Sequence, residues 1–190
     1  MKFVFKLLAP YLAMGVFWTS FQNAWLSILA YHVQIVAWNY RKFRFEKLTF
    51  DRLSIAFLSV SATAGVATYF ILPHVVSVEL EDWFVQYRLE GVALLVMAPY
   101  FGLLHPYLEE KHWEELRDQT WISHFVFAGY HYLVLSTLLK WEWVLAALVV
   151  LASVSFAWKW MRDRYESNSV SVLSHSVADL GIVLAAVILI

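Results

Sequence analysis

The chain has 190 residues, 61% of them hydrophobic and 18% aromatic, with only 15% charged and a mean hydropathy of +0.60. Soluble domains carry about a quarter charged residues, so this composition excludes an ordinary soluble globule and indicates an integral, multi-pass membrane protein. A net charge of −1 leaves no electrostatic footprint for nucleic acid, and the lack of cysteine excludes disulfides, thiolate nucleophiles and Cys-held metals.

In chain order, Lys2 and Lys6 precede an apolar run, as in a signal peptide. No small-x-small cleavage site follows, so this segment reads as a retained first span. The uncharged stretch from Leu7 to Tyr40 would make a single helix about 50 Å long against a hydrocarbon core of about 30 Å. A fold-back at Thr19–Asn23 (TSFQN) divides it into two spans. Apolar stretches at 53–73, 91–108, 121–139, 143–158 and 169–190 follow. The expected fold is all-α, a polytopic transmembrane helix bundle of about seven spans. No repeat or linker divides the chain, so residues 1–90 and 91–190 are expected to form one structural unit.

The basic residues set the orientation. With the N-terminus in the cytosol, twelve of the fourteen Lys and Arg residues fall on cytosolic segments, and only Arg88 and Lys140 fall outside. The tryptophans are expected at the two interfaces: Trp18, Trp25, Trp83, Trp141 and Trp143 near the outer one, Trp38, Trp113, Trp121, Trp158 and Trp160 near the inner one.

Ionisable groups in lipid cost several kcal/mol, on the order of 3, and mark candidate sites. The stretch HPYLEEKHWEEL (105–116) places Glu109 and Glu110 just after Pro106, where a short helix is expected to begin at the cytosolic face. Adjacent helical residues point about 100° apart, so only one of the pair is expected to reach a given pocket. His131 lies mid-span, with His124 seven residues earlier on the same helix face. His175 and Asp179 are four apart in the last span and share a face. His32 and His74 fall outside this set.

In order, these elements read P-x-x-E-E-x-x-W (Pro106 to Trp113), F-x-x-x-H (Phe127 to His131) and H-x-x-x-D (His175 to Asp179). This resembles the CPBP family, which comprises the type II CAAX prenyl endopeptidases and the bacteriocin-processing or immunity proteins, also called Abi. The resemblance covers about residues 91–190, which would be the catalytic core behind the N-terminal spans of 1–90. The family's E-E-x-x-x-R arginine position holds Glu114 here, with Arg117 three residues on.

The resemblance implies an intramembrane glutamic protease of a prokaryotic cell membrane, acting near the cytosolic face on a peptide or protein substrate that is prenylated in one branch of the family. Its site would be Glu109, Glu110, His131, His175 and Asp179. Glu109 would take a proton from water, His131 would hold that water, and His175 would donate to the oxyanion with its tautomer fixed by Asp179. No cofactor is expected. Three alternatives stay open: a zinc site using His124, His131, His175 and a glutamate, although no H-E-x-x-H is present; a non-catalytic immunity or scaffold protein; and a transporter or proton relay.

Overall fold

The computed structural model describes residues 2–44 and 46–190. Among them the chain is all-helical, and the only β-type pairing is an isolated bridge between Val76 and Leu139. Four helices are long and apolar enough to cross a membrane: Arg52–Val75, Val92–Gln119, Trp141–Tyr165 and Ser169–Ile188.

Helix α1 (Lys2–Ala13) runs into a π turn (Met14–Trp18), and α2 spans Ala24–Asn39. The break between them falls at the TSFQN stretch. Gln22 adopts a left-handed φ of 46°, and the Asn23 side chain caps α2 by accepting from the Leu26 N–H at 2.9 Å. Asp51 and Ser54 cap α3 (Arg52–Val75) reciprocally. After the short α4 (Leu80–Gln86), α5 (Val92–Pro99), a second π turn (Tyr100–Leu104) and α6 (His105–Gln119) form one continuous helix.

This corrects the expectation that a helix starts at Pro106. The proline has no N–H to donate, so an ordinary α turn here would lose a bond. The π turn accommodates it, with the His105 N–H donating to the Tyr100 carbonyl five residues back. The 28-residue helix is about 42 Å long, and the glutamate pair sits inside it rather than at its start.

Helices α7 (Ile122–Tyr130) and α8 (Tyr132–Leu135) make a shorter apolar segment before α9 (Trp141–Tyr165) and α10 (Ser169–Ile188). Polar contacts collect at two opposite faces. At one, Lys6 donates to Asn39 Oδ1 (2.8 Å) and Glu115 Oε2 (3.0 Å), Arg162 meets Asp118 and the Glu114 carbonyl, and Tyr165 donates to Asp51 (2.5 Å). At the other, the Ala24 N–H donates to the Tyr87 carbonyl (3.1 Å), and Lys140 reaches the His74 carbonyl (2.8 Å).

The tryptophans divide in a way that interface preference alone does not predict. Trp38, Trp121, Trp141, Trp143 and Trp160 are exposed, whereas Trp18, Trp83, Trp113 and Trp158 are buried. Three of the buried indoles spend their N–H inside the protein, on Thr137, Tyr31 and Ser174 respectively from Trp83, Trp113 and Trp158.

Helix α10 carries the last motif, and small residues bring it close to its neighbours. Ser61 and Ser174 hydroxyls meet at 2.7 Å across α3 and α10. A Cβ at Gly65 would lie 2.8 Å from the Gly181 backbone, and one at Gly102 would lie 2.8 Å from Leu180. Neither backbone nor β-carbon can yield cheaply, so Gly65→Ala is expected to cost about 1–3 kcal/mol. Gly181→Ala meets a less severe 3.1 Å approach and is expected to cost less. Thermal unfolding of the two variants in detergent checks the ranking.

Candidate active site

Glu109 and Glu110 are fully buried, at 0% exposure each. Neither belongs to a solvated acidic loop, and both reach the same centre, contrary to the expectation that only one could. His175 sits between them: its Nδ1 lies 3.3 Å from Glu110 Oε1 and its Nε2 lies 3.6 Å from Glu109 Oε2. The ring is long enough to bridge two carboxylates that leave the helix 100° apart.

Glu110 also receives a two-pronged contact from Arg117, Nη1 to Oε2 at 2.6 Å and Nη2 to Oε1 at 3.1 Å. Arg117 is two turns along the same helix and is itself buried. Its guanidinium lies over the Phe127 and Trp158 rings at 5.3 and 5.7 Å. Glu114, at the position where the resemblance puts arginine, instead faces Lys111 at 3.3 Å.

Glu109 is held by residues from three segments. Oε1 accepts from Tyr31 Oη of α2 at 3.0 Å and from Tyr130 Oη of α7. Trp113 donates in turn to Tyr31 Oη at 3.0 Å. Oε2 is approached by His105 Nε2 at 3.3 Å and His175 Nε2 at 3.6 Å, yet neither alignment makes a hydrogen bond among the described residues.

Asp179 Oδ2 lies 3.3 Å from the same His175 nitrogen and likewise finds no well-aligned donor. Two buried carboxylate oxygens with unspent acceptor capacity therefore flank one imidazole nitrogen. A buried acceptor left without a donor costs about 1–3 kcal/mol, which a polar molecule placed between them would recover.

The His175 ring stacks on Trp158 at 4.1 Å and 21°. The hydrogen bond that orients it runs from Nδ1 to Glu110. Nε2 faces Glu109 and Asp179, so a carboxylate stands at each ring nitrogen.

His131 joins the site at one remove. Its Nδ1 hydrogen-bonds the Phe127 carbonyl at 2.9 Å and its ring stacks on Tyr130 at 4.0 Å. Among the described residues no hydrogen bond or ion pair connects it to Glu109. His124 lies elsewhere, bonded to Ser155 Oγ at 2.9 Å and stacked on Phe156, although it shares a helix with His131. His112 is committed to the Lys6 carbonyl at 3.1 Å, so the E-x-x-H spacing of Glu109 and His112 does not make a common site. Among the described residues no group of three or more His, Asp or Glu side chains is arranged to hold a metal ion.

Tyr31, Tyr130, His105 and Arg117 complete the centre. Two of them carried a readable signal: Arg117, three residues past the motif's arginine position, and His105, one helical turn before Glu109. Tyr31 is 78 residues away from Glu109 in sequence, and no local pattern reports such a contact.

Between the charged face and this centre lies a segment that ties several helices together. Glu46 reaches Lys111 and the Asn168 N–H, and Ser169 Oγ donates to the Glu46 carbonyl at 3.0 Å. Partial burial pushes the Glu46 carboxyl up, but the bonds from Lys111 and Asn168 outweigh it and hold the group below the usual carboxylate range. A cleft of about 450 Å³ opens beside it, lined by Arg41, Lys42, Arg44, Lys111, Glu114 and Glu115 among others.

In comparisons with known proteins, no family model, no curated relative and no solved structure matches the chain.

Proposed function

We propose that the protein is an intramembrane endopeptidase of the glutamic type, a CPBP-like enzyme that hydrolyses a peptide bond near the cytosolic membrane face. The observation that carries this reading is the pair of unspent carboxylate oxygens, Glu109 Oε2 and Asp179 Oδ2, on either side of His175 Nε2. Leaving aside the short α4, the helices run back and forth between the two polar faces described above, and the face gathering Lys6, Lys42, Lys159 and Arg162 is read as cytosolic. This supports a seven-span bundle with a cytosolic N-terminus.

In this reading a water held between Glu109 and Asp179 is the nucleophile. Glu109 Oε2 takes one proton from it as the new C–O bond forms at the scissile carbonyl carbon. With a carboxylate at each ring nitrogen, His175 acts as an imidazolium: Nε2–H donates to the carbonyl oxygen as it becomes an oxyanion, and Nδ1–H on Glu110 holds the ring in place. Collapse of the tetrahedral species breaks the C–N bond, and the proton on Glu109 passes to the leaving amine. Tyr31 and Tyr130 fix Oε1, so Oε2 is the oxygen left to act. His131 supports Tyr130 by stacking. No cofactor takes part. The substrate is a peptide or protein entering from the bilayer on the cytosolic side, with prenylated C-termini as one candidate class.

A peptide bearing a farnesylated cysteine near its C-terminus, and its unprenylated twin, tests the reading with the full chain in liposomes. Cleavage of either peptide that survives chelators is expected. His175→Ala is expected to abolish it, since loss of one oxyanion donor costs about 3–4 kcal/mol. Asp179→Asn is expected to retain part of it, because an amide can still bind water. Equal loss in the two variants would sink the assignment of His175.

A non-catalytic role remains the second reading, favoured by one observation. The Glu110–Arg117 pair and the Tyr31–Glu109–Tyr130 cluster would brace a bundle without any chemistry.

A further inference from the structure

Beside the centre runs a line of groups that the proposed reaction does not use. Tyr100 Oη lies 2.7 Å from His32 Nδ1, His32 Nε2 lies 2.9 Å from His105 Nδ1, and His105 Nε2 lies 3.3 Å from Glu109 Oε2. His32 and His105 are buried at 4% and 3% exposure, and Tyr100 is half-buried. Their rings are packed: His32 lies over His105 at 5.2 Å and 25°, and His105 stacks on Phe101 at 4.7 Å and 16°. Neither histidine can turn its ring without breaking a contact on each side.

The direction of every proton in this line follows from its end. A ring nitrogen that turned its lone pair to a carboxylate oxygen at 3.3 Å would be repelled, so His105 Nε2 carries the hydrogen. A neutral imidazole has one donor and one acceptor, so His105 Nδ1 is an acceptor and His32 Nε2 must donate to it. His32 Nδ1 is then an acceptor in turn, and the Tyr100 hydroxyl donates. Every donor points from Tyr100 towards Glu109.

We infer that Tyr100, His32 and His105 form a one-way hydrogen-bond chain that fixes the tautomer of His105 and presents a single N–H to Glu109, orienting that carboxylate as the base of the site. The inference rests on the reading of Glu109 as the base. His105 turns its Nε2–H towards the base at 3.3 Å without a well-aligned hydrogen bond, leaving Oε2 free to act, whereas His32 and Tyr100 are positioning residues acting through it. The chain also explains a local feature of the fold: the π turn over Tyr100–Leu104 carries Tyr100 at its start and hands its carbonyl to the His105 N–H. One backbone irregularity thus places both ends of the line on a single helix, with His32 of α2 between them.

The test is solid-state NMR on the full chain in lipid bilayers, with 15N-labelled histidine and 13C-labelled glutamate. His32 and His105 are each expected to show a protonated Nε2 and a bare Nδ1. A protonated Nδ1 on either residue overturns the chain. His32→Phe is expected to mix the two tautomers of His105 and to shift the carboxyl 13C signal of Glu109. His32→Gln keeps one donor and one acceptor, and is expected to return both signals most of the way.

Tyr100→Phe removes only an oxygen, so it answers even where a ring substitution disturbs folding. It is expected to move the His32 Nδ1 signal, and no movement overturns the direction assigned. An unchanged Glu109 signal in His32→Phe reduces the line to packing and overturns its positioning role. None of these readouts needs a substrate. A chain that shows the expected tautomers yet cleaves neither peptide keeps the inferred geometry and defeats the peptidase reading. On the cleaved peptide, His32→Phe is expected to lower kcat about tenfold with KM nearly unchanged, the scale typical of residues that orient a reacting group.

Discussion

Glu109→Gln is expected to lower kcat by about 10²–10⁴-fold, the contribution of a positioned general base. Glutamine matches the size of glutamate, and its amide oxygen can still accept from Tyr31 and Tyr130. The fold should therefore survive, and the loss should be chemical. The amide nitrogen would then occupy the Oε2 position, where it can neither take a proton from water nor accept one from His175. Glu110→Gln is expected to do less, about 10–100-fold, because Glu110 acts through the orientation of His175. Cleavage of the farnesylated peptide and its twin measures both. Near-normal turnover in Glu109→Gln would place the base elsewhere.

Arg117→Met is expected to have the largest effect on stability. It removes the only cation that directly pairs the buried Glu110 carboxylate among the described residues, apart from His175 when that ring is protonated. Removing one partner of a buried pair costs about 3–5 kcal/mol, because the other charge stays behind without compensation. Adding Glu110→Gln to Arg117→Met is expected to recover most of that loss, since a buried pair replaced as a unit is close to neutral. Lys159→Ala serves as the contrast. Its partners Asp118 and Asp163 are half-exposed, and such pairs contribute about 0–1 kcal/mol. Unfolding in detergent, followed by tryptophan fluorescence, ranks the three. Similar losses from Arg117→Met and Lys159→Ala would show that the Glu110 site admits water freely.

The two results together separate the roles of the glutamates. One variant should lose turnover with its fold intact, and the other should lose its fold through charge. The geometry also shows why Arg117, rather than the residue at position 114, pairs with Glu110. Arg117 lies seven residues after Glu110, nearly two full turns, and so returns to the same helix face. Glu114 falls on the outer side with Lys111.

Much of the architecture was legible in the sequence because it follows from local rules. Hydropathy marked the helices long and apolar enough to cross a membrane, since a chain in lipid must satisfy its backbone internally. The TSFQN break was legible because a helix of that length cannot fit the bilayer and Asn23 is a good cap. Glu109, Glu110, His175 and Asp179 stood out because each is expensive in an apolar stretch. By contrast, the continuous helix through Pro106 was not legible, because a proline after an apolar run signals a start, and only the π turn before it removes the penalty. That the hydrogen bond to Glu109 comes from Tyr130 while its neighbour His131 bonds the Phe127 carbonyl was not legible either. His124 was grouped with the site by helical phase, yet its face turns to Ser155 of α9.

The sequence by itself determined that this is an all-helical chain with helices long and apolar enough to cross a membrane, and which of its ionisable residues lie in apolar stretches. Those properties are set residue by residue, through the cost of exposing a peptide group or a charge to hydrocarbon. Only the tertiary structure decided which of the charges meet. Tyr31, His32 and Tyr130 reach Glu109 or its partner His105 from other helices, and α10, packed closely on α3 at Gly65 and Gly181, brings His175 between two glutamates. Contacts between residues far apart in sequence depend on how helices cross and at what height. Those are fixed by packing along the whole length of each helix, and no short motif records them.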